Sequence, residues 1–364
     1  PEYRRSNVLL YDAEIFSMAG GTDFQKPTVI DGWLEFESHF RAIKPNSKSR
    51  PLAFGMAFGG TEREVLKNHR IALKQRPRLE RLQQKHYRKL EKSVPKLTLN
   101  GYPEIEELFR VTPQVVESAK IDEVGMTRAC ASSYYEVWGW DNLVTGMELS
   151  KWGDIEYLKK MVEFFRTHRS LDGSTPGRWT RHWEPMDSRG IGGTDFLYIS
   201  LVMELYNHTM DKSVLAKCYP TIKFVFDALA GRSDEEGFFK TIGMYPDFPR
   251  RLGRNNNSYV AQDEGAWYCM CRQVEMIGYL LGDTRTSLRA QHLASRIKAN
   301  YLRTFFDHKT GFLSDSTDSR TGKRLGAYTL FTLLFLHSSI GFSVIEDHEE
   351  ALGKFVRKNF FQEH

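Results

Sequence analysis

The chain has 364 residues, of which 41% are hydrophobic and 27% are charged, a balance typical of soluble globular proteins that excludes wholesale disorder. At about 150 residues per domain, this length corresponds to two domains or one large one. The formal charge of +5 comes largely from scattered basic residues, so we expect no nucleic-acid partner. Since no apolar run reaches about 18 residues, we expect no membrane span. The compartment stays undecided, with a slight preference for the cytoplasm.

Aromatic residues make up 13% of the chain, with 24 Phe, 16 Tyr and 7 Trp. Trp and Tyr rings line sugar-binding sites as well as protein cores, so this enrichment permits either role. The four cysteines lack the paired spacing of a zinc site and are expected to be buried free thiols. They are Cys130, Cys218, Cys269 and Cys271.

The pattern of residues predicts three segments. Residues 1–60 alternate short apolar runs with Gly, Pro, Asn and Ser, which predicts β-structure. Residues 61–102 are highly charged with few apolar positions and predict linker helices, with a break or kink at Pro77. Residues 103–364 read as roughly nine helices, several apolar on most faces. This third segment predicts a double-layered toroid with buried inner helices and amphipathic outer ones.

The segment 132–146 places indoles beside a carboxylate where a helix begins. Trp138 and Trp140 lie next to Asp141. An indole can stack on the apolar face of a pyranose while a carboxylate accepts hydrogen bonds from hydroxyls, so the pattern is typical of a sugar subsite. With equal weight, Asp141 is the N-cap of the following helix and the indoles are core residues.

Two later loops also carry candidate site residues. The loop after Arg178 holds Arg, His, Trp, Glu and Asp side chains and ends at Asp195, which we predict to be an N-cap rather than a ligand. The loop 243–267 places Asp247 between two prolines and near aromatic residues, where desolvation would raise its pKa towards that of a general acid. Otherwise, Asp247 is a turn residue, and Asp263 and Glu264 are helix N-terminal charges. Acidic residues in 305–324 lack EF-hand spacing and predict turns.

In order, these segments resemble the six-hairpin (α/α)6 glycosidases of the clan that holds trehalase, mannosylglycerate hydrolase and glycoside hydrolase family 63. The family's YYxxWxWDxxF-like signature is matched except at its last aromatic residue. A DGxxP-like turn follows at residues 172–176. The matched signature residues are Tyr134, Tyr135, Trp138, Trp140 and Asp141.

The resemblance implies a mainly α protein with an (α/α)6 barrel after a β-sandwich remnant, and an inverting glycosidase acting on an α-linked glucoside or similar small sugar. It implies that Asp247 is the general acid. It implies no cofactor. The substrate-binding residues expected at this site are Tyr135, Trp138, Trp140, Asp141, Arg178, Trp183, Asp187, Arg189, Arg250 and Asp263.

The family's general base is a Glu near the C-terminal end of the barrel, and no aromatic-flanked Glu follows Phe342. We therefore expect the base and the last barrel helices to lie outside this chain. Two alternatives remain: a non-catalytic carbohydrate-binding or helical scaffold protein, and a helical-repeat interaction module, although no fixed-period repeat is visible. The sugar, its linkage and the oligomeric state are not determined by the sequence.

Overall fold

The computed structural model describes most of the chain from residue 62 onward and short stretches before it; for residues before 60 it describes the backbone alone. The described residues are 2–5, 8–12, 17–22, 28–30, 33–35, 54–59, 62–129, 136–180, 182–186, 190–243, 249–325, 330–333, 336, 341–345 and 348–360. Contacts divide the chain into two compact units, Pro1–Ser93 and Val94–His364. The predicted three-segment division stays a prediction.

The first unit holds an antiparallel sheet and one long helix. Strands β1 (Glu2–Arg5), β2 (Val8–Asp12), β3 (Ser17–Thr22) and β6 (Phe54–Gly59) form the sheet in the order β1-β2-β3-β6, and β4 (Thr28–Ile30) pairs with β5 (Trp33–Glu35). Helix α1 (Glu62–Ser93) lies against β3 and β6. The predicted break at Pro77 is wrong: one missing N–H donor does not end a helix of 32 residues.

The second unit is predominantly helical among its described residues, as the sequence predicts. Its helices are α2 (Pro103–Ala119), α3 (Gly139–Lys151), α4 (Ile155–Thr167), α5 (Gly193–Thr209), α6 (Lys212–Ala230), α7 (Ala261–Leu281), α8 (Thr284–Phe305) and α9 (Glu349–Phe360).

Short antiparallel strands connect these helices. The pair β7 (Lys120–Ile121) and β8 (Met126–Thr127) precedes the three-stranded sheet β11-β10-β9, made of β9 (Val137–Trp138), β10 (Arg178–Trp179) and β11 (Pro185–Met186). After α8, β13 (Phe306–Asp307) pairs with β14 (Phe312–Leu313). A second three-stranded sheet has the order β12-β15-β16 and contains β12 (Ser258–Val260), β15 (Ser316–Asp318) and β16 (Arg324–Leu325).

The helices form two layers. Helix α5 packs against both α3 and α7, and the intervening helices α4, α6 and α8 pack on the outside of this row. Helices α5 and α7 are buried on most faces, whereas α4 and α8 bury one face and expose the other. A helix apolar all round needs neighbours on every side, and an amphipathic one needs a single partner layer. The predicted alternation of inner and outer helices is confirmed for these six.

The core of the second unit is dominated by aromatic side chains. Trp267 of α7 lies near Phe196, Phe226 and Phe239, with ring centroids 5.7–6.3 Å apart. The prediction of buried free thiols is confirmed for Cys218, Cys269 and Cys271, and Cys130 lies outside the described residues. Within the described ranges, no helix combines the length and apolar character that crossing a membrane requires.

Candidate active site at the start of the inner helices

The first turns of α3 and α5 lie at the same end of the second unit. The Gly139 N–H, at the start of α3, donates to the carbonyl of Gly177 (2.9 Å). The Thr175 N–H, two residues earlier in that segment, donates to the Asp195 carboxylate in the first turn of α5 (3.0 Å). One short piece of chain therefore bridges the N-termini of both helices.

Helix α7 begins at this end as well. The Phe239 ring lies 6.0 Å from that of Phe196, in the first turn of α5. The Phe239 N–H donates to Oε1 of Glu264, in the first turn of α7 (3.0 Å). Three inner helices thus present their N-termini to one rim, and the positive ends of their dipoles favour polar and anionic groups there.

The indole and carboxylate side chains of the sequence signature lie at this rim. Trp138 is the N-cap residue of α3, and Trp140 and Asp141 follow in its first turn, all half-buried. The alternative prediction that Asp141 is the N-cap is wrong, because the helix begins two residues before it.

A charged pair lies over one of the two faces of the Trp138 indole. The Arg178 guanidinium lies 5.3 Å from the Trp138 ring centroid and donates from one NH1 to Oε1 of Glu136 (3.1 Å). Trp138 and Arg178 are also paired residues of β9 and β10. Both charged side chains remain partly exposed, at 26% and 31%, so they stay accessible to polar groups of a ligand.

Trp183 lies in the turn between β10 and β11 with φ 66°, a left-handed conformation that favours glycine and costs a larger residue about 1 kcal/mol. Its half-buried ring packs edge-on against Phe164 of α4, with centroids 5.4 Å apart. Trp183 is thus on the rim but towards the outer layer. A role in binding sugar stays a prediction.

The Asp195 carboxylate connects several residues of the rim by hydrogen bonds. It is fully buried in the first turn of α5, and Gly192 is the N-cap, so the prediction that Asp195 is the N-cap is wrong. Its carboxylate accepts from Arg169, from the N–H and hydroxyl of Thr175 (3.0 and 2.7 Å), and from the Gly192 N–H (3.0 Å). With its acceptor sites used in this way, Asp195 positions Arg169, Thr175 and Gly192 around the start of α5.

Two acidic residues in the first turn of α7 are buried. Asp263 is 2% exposed and Glu264 is fully buried. Both lie in the first turn of α7, so the predicted position at the N-terminus of this helix is confirmed, and their burial is an additional finding. Burial, together with the Asp263 carboxylate next to it, raises the pKa of Glu264 well above its usual range, while the Phe239 N–H opposes this shift.

A buried ion pair lies beside Gly243 and the start of α7, between which the general acid is predicted in the sequence. Arg254 bonds to Asp315 with both side chains fully buried. The guanidinium also lies against Gly243, at which a Cβ would meet NH1 at 2.0 Å. The carbonyl of Asp315 accepts the N–H of Ala261, at the start of α7 (3.0 Å). Gly243 and Ala261, which precede and follow the segment 244–260, thus both contact this pair.

Of the remaining predicted site residues, one lies among the described residues and the others do not. Arg250 is exposed in a short 3-10 helix, Pro249–Leu252. Within the described part of the chain, no group of three or more His, Cys, Asp or Glu side chains could hold a metal ion. The predicted general acid Asp247 and the predicted binding residues Tyr135, Asp187 and Arg189 lie outside the described residues, as does Tyr134.

Residues 152–336, just over half of the chain, match the family model described as the bacterial alpha-L-rhamnosidase 6 hairpin glycosidase domain. The chain therefore belongs to this family, and the expected (α/α)6 six-hairpin glycosidase fold is confirmed. No curated protein matches the chain.

Two solved structures with TM-scores above 0.5 support the same fold at low sequence identity. The GH78 family rhamnosidase of Bacillus sp. GL1 is 14% identical with a TM-score of 0.58, covering 73% of this chain and 27% of that one. A bacterial glucoamylase complexed with acarbose is 12% identical with a TM-score of 0.56, covering 82% and 47%. A Klebsiella oxytoca rhamnosidase with rhamnose bound is 11% identical with a TM-score of 0.49, covering 73% and 49%. The chain thus spans half or less of these proteins.

Proposed function

We propose that this glycosidase domain hydrolyses an α-linked glycoside of a small sugar with inversion at the anomeric carbon. The observation that supports this most is the convergence of the first turns of α3, α5 and α7 on one rim that carries Trp138, Trp140 and Asp141. A polar rim above a rigid double layer of helices is a suitable place to hold a polyhydroxylated ligand.

The described residues can supply the groups that bind the terminal sugar. The indoles of Trp138 and Trp140 offer apolar faces to the pyranose ring, and Asp141 offers acceptors for its hydroxyls. The pair of Arg178 and Glu136 adds donors and acceptors beside the Trp138 ring. We therefore assign the non-reducing sugar to this part of the rim.

We assign the proton donor to Asp247. In sequence it lies between Gly243 and Arg254, two described residues that contact each other beside the buried Asp315. In an inverting mechanism the acid protonates the leaving oxygen while a second carboxylate, about 6.5–9.5 Å from the acid, activates water on the opposite face of the ring. Tyr135, Asp187, Arg189, Arg250 and Asp263 are proposed to complete the substrate site.

The first substrate to test is an α-L-rhamnoside, because the family is described by a rhamnosidase domain. An α-glucoside is the second, because the sequence signature resembles that of glucoside-cleaving families. Calorimetric titration of the purified chain with L-rhamnose and with D-glucose tests sugar binding.

Proton NMR of the native enzyme with p-nitrophenyl α-L-rhamnoside and α-D-glucoside tests hydrolysis and the anomer released first. Release of the inverted anomer supports the proposal, and release of the retained anomer contradicts the mechanism. Binding with no hydrolysis would identify a non-catalytic carbohydrate-binding protein, and no binding of either sugar would contradict the sugar site altogether.

A further inference from the structure

A buried side-chain amide in the first turn of α7 has no hydrogen-bond partner among the residues that the structure describes. Gln262 is 0% exposed, and neither its Nε2 nor its Oε1 has a hydrogen-bond partner within the part of the chain that the structure describes. Leaving such a group unpaired costs about 1–3 kcal/mol for each unsatisfied donor or acceptor. Native proteins pair nearly all buried polar groups, so an amide of this kind calls for an explanation.

The position of Gln262 on the helix separates it from the outer layer. Gln262 and Gln273 are 11 residues apart and lie about 20° from each other around α7, on the same face. Gln273 exchanges hydrogen bonds with Ser200 of the inner helix α5 (3.1 and 3.2 Å). On another face, the Ala261 carbonyl accepts from Tyr301 of the outer helix α8 (2.8 Å). Gln262 is therefore on the side of α7 that faces α5 and is turned away from α8.

The direction of the side chain carries the amide towards the rim. Side chains on an α-helix tilt towards its N-terminus, and Gln262 is the second residue of α7. Its carboxamide thus extends to the end of the helix where α3 and α5 also begin, next to Asp263. This end is the one that carries Trp138, Trp140 and Asp141.

We infer that the Gln262 carboxamide binds two neighbouring hydroxyls of the sugar, with Nε2 donating to one oxygen and Oε1 accepting from the other. This inference rests on the proposed sugar site at the rim. An amide presents a donor and an acceptor about as far apart as vicinal ring hydroxyls, so a sugar would satisfy both atoms at once. A site built to hydrogen-bond hydroxyls rejects analogues that lack them, which makes Gln262 a specificity-determining residue.

The test compares Gln262→Met with Gln273→Met, because both replace a fully buried glutamine of α7 by an apolar side chain of similar length. We expect Gln262→Met to melt at the same or a higher temperature than the wild type without sugar, since it removes unpaired polar atoms. We expect its affinity for L-rhamnose or D-glucose, whichever the wild type binds, to fall at least about tenfold. Gln273→Met loses its bonds to Ser200, so it should melt lower and keep its sugar affinity.

The outcomes separate the inference from the proposed function. If the wild type binds a sugar and Gln262→Met binds it equally well, the inference is wrong and the proposed site stands. A lower melting temperature of sugar-free Gln262→Met, matching that of Gln273→Met, would also overturn the inference, because the amide would then be paired in the free protein. Absence of sugar binding by the wild type would overturn the proposed function and this inference together.

Discussion

Arg254 and Asp315, 61 residues apart in sequence, form two parallel hydrogen bonds inside the second unit: Nε to Oδ2 at 2.7 Å and NH2 to Oδ1 at 2.6 Å. Both side chains are completely shielded from solvent. Arg254 lies against Gly243, which precedes the segment that contains Asp247, and the carbonyl of Asp315 accepts the first N–H of α7. The pair therefore makes the geometry of the candidate site depend on a residue 68 positions after Asp247.

Removing one member of this pair should strongly destabilise the second unit. Arg254→Met leaves the Asp315 carboxylate buried without its cation, and a change of this kind costs about 3–5 kcal/mol. Urea unfolding of Arg254→Met, Asp315→Leu and the double variant measures this. The double variant should lose clearly less than the sum of the single variants, because it leaves no unpaired charge. Strict additivity would show that the two residues act independently.

Asp141 and Asp195 should respond differently to replacement, although both lie in the first turn of an inner helix. Asp195→Ala leaves the guanidinium of Arg169, whose side chain is only 10% exposed, without its carboxylate partner. It should therefore lower the free energy of unfolding by about 3–5 kcal/mol. Asp141→Ala should barely change the melting temperature and should abolish sugar binding. Calorimetric melting and sugar titration of both variants measure the two effects. Unfolding of Asp141→Ala with sugar affinity intact would identify Asp141 as a structural residue.

Glu264 should make the protein less stable as the pH rises. Its folded-state pKa is raised, so above about pH 4.5 the unfolded chain releases a proton that the folded chain retains. The contribution of Glu264 to the free energy of unfolding is therefore fully present below that pH. Above it, the free energy of unfolding falls by at most about 1.4 kcal/mol per pH unit.

Glu264→Gln keeps an acceptor for the Phe239 N–H and removes the titration. In urea unfolding at several pH values, its stability relative to the wild type should increase from pH 4.5 to pH 7.5. A difference that does not vary with pH would contradict a neutral buried Glu264.

The cation above Trp138 should contribute to sugar binding more than to folding. Arg178→Met removes the contact with the indole ring and the bond to Glu136, both of which lie at a partly exposed position. Exposed pairs contribute at most about 1 kcal/mol to stability, so melting should shift by only a few degrees. We expect the sugar affinity to fall at least about fivefold. Glu148→Gln, which breaks an exposed ion pair with Lys151 on α3, is the matched control and should leave sugar affinity unchanged.

The helical architecture could be predicted from the sequence because hydrophobic periodicity is a local signal. Inner helices such as α5 are apolar on most faces, and this alone distinguishes them from amphipathic outer helices such as α4. The helix boundaries are predicted less accurately: the sequence predicts Asp195 as the N-cap of α5, whereas it lies three residues after the N-cap. Nothing in the local sequence indicates that Gly192 takes the cap and that Arg169 and Thr175 surround the carboxylate.

The site could be predicted only in part. The signature around Trp138 is continuous in sequence, so its indoles and Asp141 were recognised together. The partnership of Arg254 with Asp315 depends on how distant segments pack, and no spacing rule connects them. The sequence does not single out Gln262, because one glutamine in an apolar helix is typical of a surface position. The feature that points to Gln262 is its place at the start of α7, between Ala261 and Asp263, because this helix is buried on most faces.

The central claim is that Asp247 protonates the leaving group of a sugar bound at this rim. The measurement that tests it most directly is kcat/KM of wild type and Asp247→Asn in the native enzyme, on a p-nitrophenyl glycoside and on the matching methyl glycoside. The account predicts a loss of about 100-fold or more on the methyl glycoside, whose leaving group needs a proton, and a much smaller loss on the p-nitrophenyl glycoside. Equal losses on both substrates would contradict the assignment and make Asp247 a structural residue.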